Sequence, residues 1–239
     1  MRKLLFALAA PLLLVQGKRV RRTTPRLPEP PGPRQGKING RLSAGKPTFS
    51  LLMLGDSAIA GVGCDSQTEA LSGQLLALLS EARCGDQTLA WQLIAKSSLT
   101  CAQVLALLQE TKLSIAAPNA VVVSVGVNDV TKRTPVKQWR IDLEALTTYL
   151  TEELGAKKII YTSLPPMHRF PALPQPLRWF VGQQALELNQ HLAAHCRQHR
   201  HVELLQFDLP YAPDYIAADG YHPSAQAATI WAQAAEKLI

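Results

Sequence analysis

The chain has 239 residues, 47% of them hydrophobic, which suits one globular domain with a substantial core. Its net charge of +7 is unevenly placed: residues 1–47 carry eleven Lys/Arg and one acid, Glu29, whereas residues 48–239 carry fourteen basic and seventeen acidic residues. A nucleic-acid-binding domain would carry its basic patch on the folded part, so nucleic acid is not an expected partner.

In chain order, Arg2 and Lys3 precede a twelve-residue apolar run, residues 4–15, which has the length of a signal-peptide core and is short for a bilayer span. Lys18, Arg19, Arg21 and Arg22 follow at once, and such a cluster resists translocation and favours an anionic leaflet. Residues 1–22 are therefore expected to form a targeting or anchor segment on a membrane surface, with export to the periplasm or the medium as the alternative. Residues 23–47, rich in proline and glycine, are expected to be a disordered linker. A tail on such a linker is expected to be separable from whatever the folded part does.

From residue 48 short apolar runs alternate with helical patterns. Strands are predicted at 49–54, 89–95, 120–125, 158–163 and 202–207, and helices at 69–83, 100–111, 135–154, 177–199 and 223–238. In the third helix Trp139, Leu143, Leu146, Leu150 and Leu154 recur at steps of three and four and make one apolar stripe. Five strands, each followed by a helix, imply a parallel sheet covered on both faces: a three-layer α/β/α sandwich over residues 48–239. Ligands bind beyond the carboxyl ends of such strands. Ser57, Ser97 and Ser98, Asn128, and the pair Asp219 and His222 all fall on that edge.

A serine hydroxyl is a weak nucleophile unless a base lies within hydrogen-bond reach and a third group orients that base. Ser57, directly after the first strand, and Asp219-Gly220-Tyr221-His222 near the end supply these types. Together, Gly55-Asp56-Ser57, Gly126-Val127-Asn128-Asp129 and Asp219-Gly220-Tyr221-His222-Pro223 resemble three sequence blocks of the SGNH/GDSL hydrolases, serine esterases and lipases of flavodoxin-like fold. The resemblance covers roughly residues 49–239. It implies Ser57 as nucleophile, His222 as base and Asp219 as the orienting acid, with no metal or organic cofactor. It further implies an oxyanion hole from the Ser57 N–H, Asn128 and a residue of the second block. That block offers a glycine in the family, and here the best-matching stretch places Ser98 there. Asp56 and Asp129 are expected to bond backbone donors in their loops rather than to react.

The remaining motifs are weaker. The proline-rich loop 164–176 holds Met167, Phe170 and Leu173, which are expected to form an apolar acyl-binding wall. His191, His195 and His199 share one helical face, yet lack the glutamate of a zinc-protease helix and sit among Arg197, Gln198 and Arg200, so no metal site is expected. Gly61-Val62-Gly63 lacks the third glycine of a dinucleotide loop and is expected to be a small-residue connection. Cys64, Cys84, Cys101 and Cys196 are scattered; buried free thiols are expected, with one or two disulfides left open. The expected function is a serine esterase acting on small-molecule carboxylic esters with lipid-like or short acyl groups. A carbohydrate O-acetylesterase and a catalytically silent binding domain are the alternatives.

Overall fold

The computed structural model describes residues 2–39, 48–83 and 87–239. Its described strands are β1 (Gln35–Ile38), β2 (Thr48–Gly55), β3 (Thr88–Ala95), β4 (Ala120–Ser124), β5 (Ile159–Thr162) and β6 (Val202–Leu205). They form one sheet in the order β1-β3-β2-β4-β5-β6, parallel except for the β1–β3 pair. The described helices are α1 (Arg2–Thr23), α2 (Leu71–Arg83), α3 (Cys101–Glu110), α4 (Val127–Lys132), α5 (Val136–Thr148), α6 (Leu177–Gln198) and α7 (Ala225–Glu236).

Strand alternation divides the core into two layers. Leu52, Leu54, Val121, Val123, Ile159 and Tyr161 face α3, α5 and α6, with Trp139 fully buried among them. Leu51, Met53, Val122 and Ile160 face α2 and α7, where Trp231 packs. β2 is buried on both sides from Ser50 to Gly55, as a central parallel strand must be. The chain leaves β2 toward β3 on one side and continues with β4 on the other, so the switch point lies between the carboxyl ends of β2 and β4. The α/β/α sandwich expected from the sequence is therefore present.

The differences lie at the N-terminus. Six strands replace the expected five, because β1 adds an antiparallel edge to β3. Its sequence, Gln35-Gly36-Lys37-Ile38, shows little alternation, and what stabilises it is the β3 edge it covers. Residues 24–39, expected as disordered linker, are placed against the body: Arg34 Nη1 donates to Ala95 O at 2.7 Å, and Gln67 N to Pro31 O at 2.9 Å. Residues 40–47 of that linker, and Cys84, lie outside the described residues. Cys64, Cys101 and Cys196 are free thiols, the last two buried.

Candidate active site

Ser57 sits two residues past β2 because the strand ends on Gly55 with φ +157°, where a Cβ would meet Ser124 O at 2.1 Å. Only glycine lets β2 and β4 stay paired while the chain turns out of the sheet. Asp56 N then donates to Ser124 O at 3.2 Å, and Ala60 N and Val62 N bond back to Asp56 O and Ser57 O in the following turns. These bonds hold the Ser57 side chain at the carboxyl edge.

The candidate base, His222, arrives from the loop between β6 and α7. Asp219 Oδ1 accepts from Tyr221 N at 2.9 Å and His222 N at 3.1 Å, which curls the loop so that the imidazole returns to the same carboxylate. His222 Nδ1 lies 2.5 Å from Asp219 Oδ2, and His222 Nε2 lies 2.8 Å from Ser57 Oγ. Burial alone would push the Asp219 carboxyl up, but the hydrogen bond and charge of His222 and the two backbone N–H donors outweigh it and hold it below its ordinary value. An ionised Asp219 takes the Nδ1 proton as its bond, leaving Nε2 to accept from the Ser57 hydroxyl. Gly63 packs behind this loop, where a Cβ would meet Pro223 O at 2.4 Å. The small-residue connection thus serves close approach, to the histidine loop at Gly63 and to Ala70 and Pro30 at Gly61.

Asn128 Nδ2 donates to Asp56 Oδ2 at 3.0 Å, which takes one amide hydrogen and leaves the other available. Asp56 is almost wholly buried and also accepts from Ala58 N at 3.2 Å. Desolvation raises its carboxyl to about 6 against the pull of these donors and of His222. Asp56 thereby orients Asn128 as well as its own loop. Ser98, where a glycine was expected, has φ +68°, so the chain keeps the left-handed turn a glycine would favour. Among the described residues the backbone N–H groups of Ser57 and Ser98 donate to no protein atom, and together with the free Asn128 hydrogen they are three available donors.

The Ser98 turn is braced on three sides. Lys132 Nζ donates to Ser98 O at 2.8 Å, and Asp129 Oδ2 accepts from Cys101 N at 3.0 Å, with Thr134 on its other oxygen. The third brace is Glu29, whose Oε1 accepts from Ser97 N at 2.7 Å and Ser97 Oγ at 2.8 Å while Oε2 pairs with Arg34 at 2.6 Å. Neither Glu29 nor Lys132 was singled out in the sequence. Glu29 had one visible mark, being the single acid among the eleven cations of residues 1–47.

A cleft of about 1240 Å³ is lined by Ser98, Asn128 and Tyr221 and by residues of α1, α4 and α6. Met167 and Leu173 are among its lining residues, although both are deeply buried. Phe170 departs from the expectation: it belongs to the core and meets the Tyr221 ring edge-on at 5.8 Å between centroids, so it supports the histidine loop instead of the cleft wall. Of the three aligned histidines, two, His195 and His199, gather around Glu144. His195 Nε2 pairs with Thr147 at 2.8 Å and its ring packs edge-on to Tyr161, and Glu144 lies near both His195 and His199. Among the described residues His191 belongs to no such cluster.

The model of the GDSL-like lipase/acylhydrolase family matches residues 53–230, which contain all three blocks. Solved structures of similar fold include the lipase Lip_vut3 from a goat rumen metagenome, with 16% identity and a TM-score of 0.61 over 80% of this chain and 97% of that one. A lipase/acylhydrolase from Enterococcus faecalis shares 21% identity with a TM-score of 0.58 over 80% and 95%. An acetylxylan esterase from Geobacillus stearothermophilus shares 18% with a TM-score of 0.57 over 82% and 95%. No curated protein matches the chain. At these identities the solved structures speak for the fold, and the family match speaks for the chemistry: the chain belongs to the GDSL-like lipase/acylhydrolase family and is a hydrolase of ester bonds.

Proposed function

We propose that the chain is a serine esterase in which Ser57, His222 and Asp219 form the catalytic triad. The observation that carries this reading is the continuous contact from Asp219 through His222 to Ser57 Oγ at hydrogen-bond distances. Ser57 Oγ attacks the ester carbonyl as His222 Nε2 takes its proton, and Asp219 stabilises the imidazolium. The oxyanion draws on the Ser57 and Ser98 N–H groups and the Asn128 amide, preorganised donors that contribute about 3–4 kcal/mol each at comparable sites. Proton return from His222 to the leaving alkoxide gives the alcohol and an acyl-enzyme. Water, deprotonated by the same imidazole, then releases the acid and restores Ser57.

The apolar lining from Met167, Leu173, Leu177 and Phe180 favours a lipid-like ester over a carbohydrate acetate. Among the described residues no helix is long and apolar enough to cross a membrane. On α1, Leu12 and Val15 are 50% and 65% exposed and share a face with the exposed Arg19 and Arg22, a composition suited to lying on an anionic membrane surface. Fluorophosphonate labelling tests the reading: the full chain should be labelled stoichiometrically, and Ser57→Ala should not be labelled at all. Labelling that survives in Ser57→Ala would place the nucleophile elsewhere.

A further inference from the structure

α1 presents three faces, and only one is explained by packing. Leu13 is 2% exposed, and Gln16 clasps the start of α6, its Nε2 donating to Gln175 O at 2.7 Å and its Oε1 accepting from Leu177 N at 3.1 Å. At its end, Thr24 lies beside Tyr221 of the histidine loop, and both line the same cleft. These contacts fix the helix beside the candidate active site. Leu12, Val15, Arg19 and Arg22 point away, at the spacing of a second face. The third face, Leu14, Gly17, Lys18 and Arg21, lines the cleft that also holds Ser98 and Asn128.

The charge of that cleft is one-sided. Among its described lining residues there are five cations, Lys18, Arg21, Arg26, Lys132 and Arg133, against one carboxylate, Glu187. Lys132 is engaged by Ser98 O and Gln103, whereas Lys18, Arg21 and Arg26 are exposed and form no ion pair with a described residue. Beside an uncharged ester these three exposed cations would meet only water and counterions, whereas an anionic group on the substrate would gain their attraction. Apolar side chains on the opposite wall exclude a ligand that is ionic throughout.

We infer that α1 is a wall of the substrate cleft, and that Lys18 and Arg21 select an amphiphilic ester whose alcohol part bears a negative charge beside an apolar acyl chain. This rests on the reading of Ser57 as nucleophile and names the substrate class of that same site. A phosphodiester with no cation of its own to balance it, or a carboxylate, on the alcohol part meets the requirement, because both offer unpaired anionic oxygens to an ammonium and a guanidinium. The helix is thus a specificity element, not a detachable tail.

The test compares two esters with one acyl chain, octanoyl glycerophosphoglycerol and octanoyl glycerophosphocholine, below the concentration at which either forms micelles. The full chain should prefer the anionic ester, and the preference should shrink as ionic strength rises. Lys18→Glu combined with Arg21→Glu should lower the anionic-to-zwitterionic ratio of kcat/KM about tenfold, through KM, the scale of two surface ion pairs made repulsive. Arg197→Glu combined with Arg200→Glu, exposed residues outside the cleft lining, changes net charge equally and should leave the ratio unchanged. An equal effect of the two double variants, or a preference seen on vesicles and absent for dispersed substrate, would overturn the inference in favour of surface attraction. Fluorophosphonate labelling separates the failures. A chain that is labelled and hydrolyses p-nitrophenyl acetate yet shows no charge preference overturns this inference alone, and a chain that is not labelled overturns the assignment of Ser57 as well.

Discussion

Two stretches of the chain reach the same edge of the sheet by different means. The loops that follow β2, β4 and β6 deliver Ser57, Asn128 and His222 from strand ends, where the pairing of the sheet fixes where each loop starts. Residues 2–39 come from outside the parallel layer and reach that edge by docking, through Glu29 on Ser97, Gln16 on α6 and Thr24 on Tyr221. On the proposed mechanism the first stretch supplies the reacting groups, and the second packs around them. Substitutions in the two should therefore differ in kind: abolished chemistry in one, loosened geometry and altered selectivity in the other.

The largest effect belongs to the first stretch. Ser57→Ala removes the attacking atom and little volume, so steady-state hydrolysis of p-nitrophenyl acetate should fall by at least about a thousandfold with the unfolding midpoint unchanged. Residual turnover within tenfold of the parent would break the division at its strongest point. Asn128→Ala should cost about a hundredfold or more in kcat, the scale of deleting one oxyanion donor. Asp56→Ala should reproduce part of that loss, because Asp56 orients the Asn128 amide from a fully buried position.

The second stretch should give smaller losses with a different signature. Glu29→Ala frees the Ser97–Ser98 turn and should lower kcat about tenfold, since donors displaced by a fraction of an ångström lose much of their value. It should also destabilise the fold by about 2 kcal/mol, the scale of hydrogen bonds to a charged group. The pH dependence is specific. Burial pushes the Glu29 carboxyl up, but Ser97 and Arg34 outweigh it and hold it below its ordinary value. A depressed carboxyl stabilises fully above the unfolded value of about 4.5, and the contribution is lost as pH falls through the folded value. The gap in thermal midpoint between the parent and Glu29→Ala should accordingly be widest above pH ~4.5 and close in more acid solution. A gap that stayed constant with pH would mean that Glu29 acts by packing and not by charge.

The contrast also explains what could be read from the sequence. The parallel sheet was legible because β2, β4 and β5 are apolar runs bounded by turns, and the candidate site because Ser57, Asn128, Asp219 and His222 each lie in a short motif whose chemistry is local. β1 was not legible, since Gln35-Gly36-Lys37-Ile38 has no pattern of its own and exists by covering an edge that another strand provides. The same holds for Glu29: proline and glycine around it signal irregular backbone, which is correct, but irregular backbone is free or fixed according to distant partners, here Ser97 for Glu29 and Ala95 for its neighbour Arg34. Phe170 was misplaced for a related reason. Periodicity is absent in a loop rich in proline, so nothing local distinguishes a ring that faces a cleft from one that packs on Tyr221.

Ser98 lies where the two stretches meet, and its replacement should have the smallest effect on rate. The residue holds φ +68°, a conformation that costs a side chain bearing Cβ about 1–2 kcal/mol relative to glycine. Ser98→Gly removes that strain but gives the unfolded chain more freedom, which returns about 0.4–1 kcal/mol. The net change should be a gain of about 0.5 kcal/mol in stability, with kcat for p-nitrophenyl acetate within about twofold of the parent because the backbone N–H is kept. If the Ser98 hydroxyl were the donor, the same variant would lose about a hundredfold in kcat while still gaining stability. Chemical denaturation and steady-state kinetics on one preparation separate these outcomes. A stabilised but crippled Ser98→Gly would move the third oxyanion donor from the backbone to the side chain, and would make Ser98 a functional replacement for glycine instead of a tolerated one.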